Sequence, residues 1–267
     1  MTPAPGARGA YADQGFYRSR SSVLPPDLVA SAREGIDAVR EGRYDTGRPP
    51  HASPWQPGDD PAALCKVELA HAANRALGRV ARNPGLGEWV AEVVGAERVQ
   101  VWWVQMLYKP PSAAGSPPTH VGWHQDYQYW QHDWASPEGL LTAWVALSDV
   151  TPQSGPLRFI RGSHRWGFRG DGDFFADDPE AQRAALAAPE GETWDEAAAV
   201  LPPGGVSLHD GLTYHGSSSN QASAPRCSLV LHLCTDRARL REGTPGALTR
   251  FLDDPAVCPV LTASGAR

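Results

Sequence analysis

Three groups of residues in this 267-residue chain could do chemistry together. His124-Gln125-Asp126 follows a Pro/Gly-rich stretch, PPSAAGSPPTHVGW. In an extended strand, positions i and i+2 project to one face, so an imidazole and a carboxylate would enter the same cavity. Alone the triplet says little, since a surface histidine beside a turn-capping aspartate reads the same way. Downstream, GGVSLHDGLTYHGSSSNQASAPR supplies His209 and His215, with Arg226 eleven positions after the latter. Two imidazoles and one carboxylate on one face leave coordination positions open, which suits an Fe(II) that must bind a cosubstrate and oxygen together. Zinc usually takes a closed or differently spaced set.

The elements that must position these groups are mostly short strands. From Arg98 onward the runs RVQVWWVQMLY, LLTAWVALSDV, LRFI, GGVSLHD and CSLVLHLCT are each bounded by Gly, Pro, Ser or Asp. Such punctuation predicts a sandwich, barrel or jelly roll rather than alternating βαβ units. The chain before them reads as helical. Leu28, Val29, Ile36 and Val39 recur at helical spacing after Pro25-Pro26-Asp27 and stop near Gly42. A Pro/Gly-rich link over 46–61 leads to residues 62–94, read as two helical segments divided by Pro84. The expected organisation is one domain over 1–267, with 1–97 as mainly helical support and 98–240 as the β core. Residues 165–200 interrupt the strands with glycines, acidic residues and a short alanine-rich helix, an insertion of lid or binding-loop length. Its Trp166, Phe168, Phe174, Phe175 and Trp194 could enclose a partly apolar molecule.

Composition narrows the partners. A net charge of -6 offers no basic field for a polyanion, so a small molecule rather than nucleic acid is expected. Hydrophobic residues make up 41% of the chain and tryptophans number ten, enough to build a packed interior. There is no charged-then-apolar leader and no run of eighteen apolar residues, so the expected location is cytoplasmic, with no membrane partner. Cys65, Cys227, Cys234 and Cys258 lack any C-x-x-C spacing and read as buried free thiols. Nothing in the sequence sets an oligomeric state.

Three separately placed motifs, WHQDY, SDVTPQSGPLRFIRGSH and HGSSSNQASAPR, resemble the phytanoyl-CoA dioxygenase family, in the right order and over about residues 101–235. The resemblance implies a mainly β fold with flanking α-helices, built on a double-stranded β-helix (a cupin-like jelly roll). It also implies Fe(II), 2-oxoglutarate and O2 as cofactors, and hydroxylation of an unactivated C–H bond with release of succinate and CO2. Position by position, His124 and Asp126 match the first two iron ligands. His215 matches the third, because it precedes Gly216-Ser217 and stands eleven residues before the arginine; His209 is then a packed or supporting residue. Arg226 matches the clamp on the distal carboxylate of 2-oxoglutarate, where the planar guanidinium fork binds a carboxylate in two hydrogen bonds. Ser217 would add a hydroxyl there. Gln105 and Trp144, the latter read as beginning its strand, are candidates for lining the cosubstrate pocket.

WHQDYQYW also resembles the corresponding stretch of the ectoine hydroxylases, without the rest of that signature. This makes Tyr127 and Trp130 candidate walls against the primary substrate, with Trp103 and Arg161 as further candidates. The chain departs from the family at Arg161-Gly162-Ser163-His164, where Pro-Gly-Ser-His is common, and at Gly204-Gly205, where Gly-Asp is common. Asp126 bears on the outcome: related halogenases lack that carboxylate, so its presence makes hydroxylation the default, with desaturation, epoxidation and ring formation as the open alternatives. A composition rich in Ala, Gly, Pro and Arg, together with the habits of small family members, points to a bacterial specialised-metabolite intermediate as substrate. The rival readings are a non-catalytic small-molecule-binding jelly roll and a metal enzyme that does not use 2-oxoglutarate.

Overall fold

The computed structural model describes residues 2–51, 53–243 and 246–263. Among the described residues, seven α-helices, α1 (Ala7–Gln14), α2 (Pro26–Arg40), α3 (Ala70–Ala73), α4 (Arg75–Ala81), α5 (Pro84–Val94), α6 (Tyr127–Trp130) and α7 (Pro179–Ala185), accompany eleven strands. The strands are β1 (Phe16–Arg18), β2 (Cys65–Glu68), β3 (Arg98–Lys109), β4 (Val121–His124), β5 (Leu140–Ala146), β6 (Leu157–Ile160), β7 (Glu196–Ala198), β8 (Val206–Asp210), β9 (His215–Ser217), β10 (Arg226–Thr235) and β11 (Val260–Ala263). They form two antiparallel sheets, as a double-stranded β-helix requires. The larger runs β1-β8-β5-β10-β3-β11 with β2 also on β3, and the smaller runs β4-β9-β6-β7.

Alternation along the central strands decides what faces the interior. In β10, Cys227, Leu229, Leu231 and Leu233 join the core cluster shared with α2, α4 and α5. The intervening Arg226, Val230 and His232 line a cavity between the sheets. β5 does the same, with Leu141, Ala143 and Val145 outward and Thr142 and Trp144 inward. Period-two geometry thus turns an apparently continuous hydrophobic run into a strand with two distinct faces. β3 breaks the alternation once: its register to β10 shifts between His232 and Leu233, where Trp103 and Val101 are the successive partners. The extra residue lets Trp102 and Trp103 both join an inner aromatic cluster while Val101 and Val104 stay on the helix side.

The helical reading of the first third needs correction at two places. Phe16–Arg18 pairs with β8 and Cys65–Glu68 pairs with β3, so this part contributes two edge strands to the larger sheet. The CKVE tetrapeptide shows the alternation of a half-buried strand, but it is too short to stand out beside alanine-rich helices. α2 is as expected: Pro26 opens it and its buried stripe is Leu28, Val29, Ala32, Gly35, Ile36 and Val39. All four cysteines are buried and free.

Candidate metal centre and its two cavities

His124 closes β4 and His215 opens β9, and the two are direct partners across the smaller sheet. Their imidazole centroids stand 4.1 Å apart. Asp126 does not reach them along a strand. β4 ends at His124, and Asp126 has helical backbone angles at the start of α6, so the turn rather than i/i+2 alternation aims the carboxylate. Between them Gln125 points elsewhere, donating to the carbonyls of Gly167 and Leu212 and accepting from the Arg169 amide. That side chain ties the turn to the insertion and to the loop before β9.

One ligand-type atom from each of His124, Asp126 and His215 lies within 4.8 Å of the others, and all three residues are buried. Their remaining polar atoms are already occupied. His124 Nδ1 donates to the Gly122 carbonyl at 2.8 Å and His215 Nδ1 to the Thr213 carbonyl at 2.9 Å, which leaves both Nε2 lone pairs directed at the centre. Asp126 Oδ2 accepts from Thr142 Oγ1 at 2.7 Å and His209 Nε2 at 3.1 Å. Its Oδ1 then faces His124 Nε2 at 3.6 Å and His215 Nε2 at 3.7 Å. Burial would raise the Asp126 carboxyl, but the surrounding imidazoles of His215, His124 and His209 outweigh it and hold the group well below the usual carboxylate range. Burial, reinforced by the neighbouring imidazoles, pushes His215 well below its ordinary value. A carboxylate oxygen and two imidazole Nε2 atoms therefore converge on one point, a donor set that fits a divalent cation and leaves part of its coordination sphere open.

A narrow cavity runs from these residues to Arg226 and is lined also by Gln105, Thr142, Trp144 and Ser217. Arg226 is 1% exposed; it donates to the Gly155 carbonyl, lies 5.1 Å above the Trp144 ring, and its Nε has no partner. Lys109, paired with it across β3 and β10, is fully buried and donates to Ser217 Oγ and the Ser218 carbonyl, each at 2.7 Å. Burial lowers Arg226 to about 10 and, with the Arg226 charge, takes Lys109 well below its usual value. Among the described residues no carboxylate pairs with either cation. Uncompensated buried charge costs several kcal/mol per ion, so this end of the cavity fits an anion. Because Lys109 donates to Ser217 Oγ, the Ser217 hydroxyl hydrogen is free for another acceptor.

A family model described as phytanoyl-CoA dioxygenase matches residues 11–228. The chain belongs to the phytanoyl-CoA dioxygenase family. Among curated proteins it is similar to a probable alpha-ketoglutarate-dependent hypophosphite dioxygenase of Stutzerimonas stutzeri, 24% identical over 83% of this chain and 75% of that one. It is also similar to the ectoine dioxygenase of Sphingopyxis alaskensis, 29% identical over 60% of this chain and 54% of that one. The chain thus spans only about half to three quarters of these relatives' lengths. In fold it resembles the iron-bound crystal structure of EctD from S. alaskensis, with a TM-score of 0.68 and 23% identity over 92% of this chain and 83% of that one. It likewise resembles SnoN, the alpha ketoglutarate dependent epimerase from nogalamycin biosynthesis, with a TM-score of 0.66 and 20% identity over 93% of this chain and 87% of that one.

On the other side of the metal centre of this family member, a second, larger cavity is walled by Trp103, Trp130, Tyr129, Phe174 and Phe175, with Lys66, Glu68, Gln105 and His232 among its polar groups. Of the residues singled out from the sequence, Trp103 and Trp130 line this cavity, Gln105 lines both, and Ser217, Trp144 and Arg226 line the smaller one. Trp144 sits in the second half of β5 rather than at its start. Tyr127 and Arg161 line neither. The Tyr127 hydroxyl donates to the Trp134 carbonyl, because the first turn of α6 points it into the aromatic core. Arg161 is ion-paired with Asp195 at 3.2 Å and donates to Gln14 Oε1 at 2.6 Å, at the foot of α1.

Sequence reasoning missed Lys109, Thr142, His232, Tyr129, Lys66 and Glu68. Period-two counting inward from Arg226 would have found His232, and its register partner would have found Lys109. The insertion does cover the centre: the Phe174 ring lies 5.2 Å from His124, and the Phe174 carbonyl accepts from the Gly122 amide at 3.0 Å. Gly172 runs so close to β4 that a Cβ there would meet His124 Cα at 2.6 Å. The insertion's aromatics divide. Phe174 and Phe175 reach the cavity, Phe175 at its exposed rim, Phe168 is exposed away from it, and Trp166 and Trp194 pack against Tyr214 on the barrel.

Proposed function

We propose that the chain hydroxylates a C–H bond of a small, partly apolar molecule, a specialised-metabolite intermediate, with His124, Asp126 and His215 as the iron ligands. The observation that carries this reading is the donor set itself: every polar atom of the triad that does not face the centre is already bonded to the protein. Arg226, with Lys109 acting through Ser217, would hold the distal carboxylate of 2-oxoglutarate, and Trp144 would press on the guanidinium face. Gln105 would lie where the two cavities meet. Bound together, Fe(II), 2-oxoglutarate and O2 supply an oxidant able to take hydrogen from an unactivated carbon, with succinate and CO2 as by-products.

The protein's own part is positional. His124 and His215 would present their Nε2 atoms to the metal because their Nδ1 hydrogens are committed to backbone carbonyls. Thr142 and His209 hold Asp126 by one oxygen, so that it offers the other and leaves positions on the opposite side open. Arg226 and, through Ser217, Lys109 would hold one end of the cosubstrate, and Trp103, Trp130 and Phe174 would exclude water from the face where a C–H bond is presented. The presence of Asp126 favours hydroxylation over halogenation, in keeping with the sequence reading. The test is anaerobic titration of metal-free protein with Fe(II) and 2-oxoglutarate. The visible charge-transfer band of the chelated cosubstrate should appear in wild type, vanish in His215→Ala, and need far more 2-oxoglutarate in Arg226→Ala. Absence of the band in folded wild type would move the non-catalytic binding jelly roll to first place.

A further inference from the structure

The larger cavity holds a cation that the reaction described above does not use. Lys66, on β2, faces it with a side chain only 16% exposed. Its carboxylate partner, Glu68, stands 3.3 Å away and is 12% exposed. Glu68 is already engaged: its Oε2 accepts from Trp103 Nε1 at 2.6 Å and its Oε1 from Gln105 Nε2 at 3.3 Å. An ammonium carries three donors, and Glu68 is the only acceptor at Lys66 among the described residues. Its remaining surroundings are aromatic, with Nζ 4.7 Å from the Phe174 centroid and 5.9 Å from that of Phe175. A ring face stabilises a cation without satisfying its hydrogen bonds. Phe174 in turn lies against His124, so the ammonium stands one aromatic ring away from a metal ligand.

We propose that Lys66 binds an anionic group, of carboxylate type, on the molecule that fills the larger cavity, with Glu68 as the brace that sets the ammonium in place. Calling that molecule the primary substrate rests on the oxygenase reading; the anion site does not. The rest of the wall is largely aromatic, with Trp103, Tyr129, Trp130, Phe174 and Phe175 beside Leu248, while Gln105 and His232 join the triad's edge as its other polar groups, so the body of the ligand is mainly apolar and of a size to be clasped between aromatic rings. An ion pair built only to close on itself would turn away from the cavity, whereas this one lines it. Phe174 and Phe175 come from the insertion and Lys66 from the first third of the chain, so a ligand anion here would also be touched by the covering segment.

The probes are 3-phenylpropanoate and its uncharged counterpart, 3-phenylpropanamide, read by quenching of tryptophan fluorescence, since Trp103 and Trp130 line the cavity. Titrations on metal-free wild type should show the acid binding about tenfold or more tighter than the amide, the scale of one hydrogen bond to a charged group. Lys66→Met should abolish that preference, and Lys66→Arg should retain it. Adding Mn(II) with saturating 2-oxoglutarate should not displace the acid. Equal affinity for acid and amide in wild type would overturn the proposal. So would a preference that survives Lys66→Met, or displacement by 2-oxoglutarate, which would put the acid in the Arg226 cavity. A missing charge-transfer band would refute the oxygenase reading and leave the acid–amide comparison standing.

Discussion

His209 Nε2 donates to Asp126 Oδ2 at 3.1 Å, and so a histidine that is not placed among the ligands decides which carboxylate oxygen is left for the metal. Thr142 shares the task from β5 at 2.7 Å and is itself held by His232 Nδ1 at 2.9 Å. Removing such an outer partner typically costs ten- to a hundredfold in metal affinity. His209→Phe and Thr142→Val should each weaken Fe(II) binding by about that factor, with Thr142→Ser near wild type. Anaerobic competition against a chelator of known affinity measures it, and unchanged affinity in both variants would remove the two residues from the site.

Metal binding should stabilise the fold, because the three donors meet only when β4 and β9 are paired. With metal at about a hundred times its dissociation constant the gain is about 2.7 kcal/mol. Thermal unfolding with and without Mn(II) reads it. His215→Ala should show no metal-dependent rise in Tm, and a rise persisting in that variant would mean the ion binds elsewhere.

Lys109 and Arg226 should act on one ligand. Lys109→Met and Arg226→Met should each raise the 2-oxoglutarate requirement about ten- to a hundredfold, the scale of a charged hydrogen bond, and the double variant should fall short of the product of the two, since both cations serve the same anion. The charge-transfer titration gives all four numbers. Full multiplicativity would mean that Lys109 is a separate structural cation.

Gly172→Ala should loosen the covering segment, because the added Cβ would stand 2.6 Å from His124 Cα and 2.7 Å from the Trp123 carbonyl. Limited proteolysis should then cut within 167–178 faster than in wild type. Equal cutting rates would show that the segment accommodates the methyl group without lifting.

His71 lies far from this chemistry, at the end of α3, where burial pushes its imidazole down to about 4 although Nε2 donates to the Val257 carbonyl at 2.8 Å. A histidine whose folded value lies below its unfolded one is protonated more readily when unfolded. Its contribution is therefore complete above about pH 6.5 and lost as pH falls toward 4, to a limit of about 3 kcal/mol. Urea unfolding between pH 7 and 4.5 should show a shallower loss for His71→Gln than for wild type. Parallel curves would show that His71 does not titrate on unfolding.

The sequence carried the site's chemistry better than its architecture. His124, Asp126, His215 and Arg226 stand in short motifs that resemble a known family in the same order, so they were legible together. Lys109 was not, because a lysine at the end of a strand reads as a solvated charge until the register sets it opposite Arg226. Lys66 and Glu68 were hidden in a four-residue strand flanked by helices, where local pattern cannot compete with helical composition. Tyr127 and Arg161 were misjudged for a different reason: nearness in sequence to a ligand says nothing of direction, and one turn of α6 is enough to send Tyr127 into the core.

The smaller cavity is assembled mainly from β3, β5, β8, β9 and β10, where hydrogen-bonded register fixes the inward residues, with Phe174 reaching in from the insertion. The larger one adds β2, α6 and Phe175 to the parts of β3 and β10 that both cavities share. Replacement of the edge strand, or of Tyr129, Trp130 and Phe175, can therefore retune what enters from that side while Trp144, Ser217 and Arg226 stay in place. A lineage built on this frame can change its diet without rebuilding its engine.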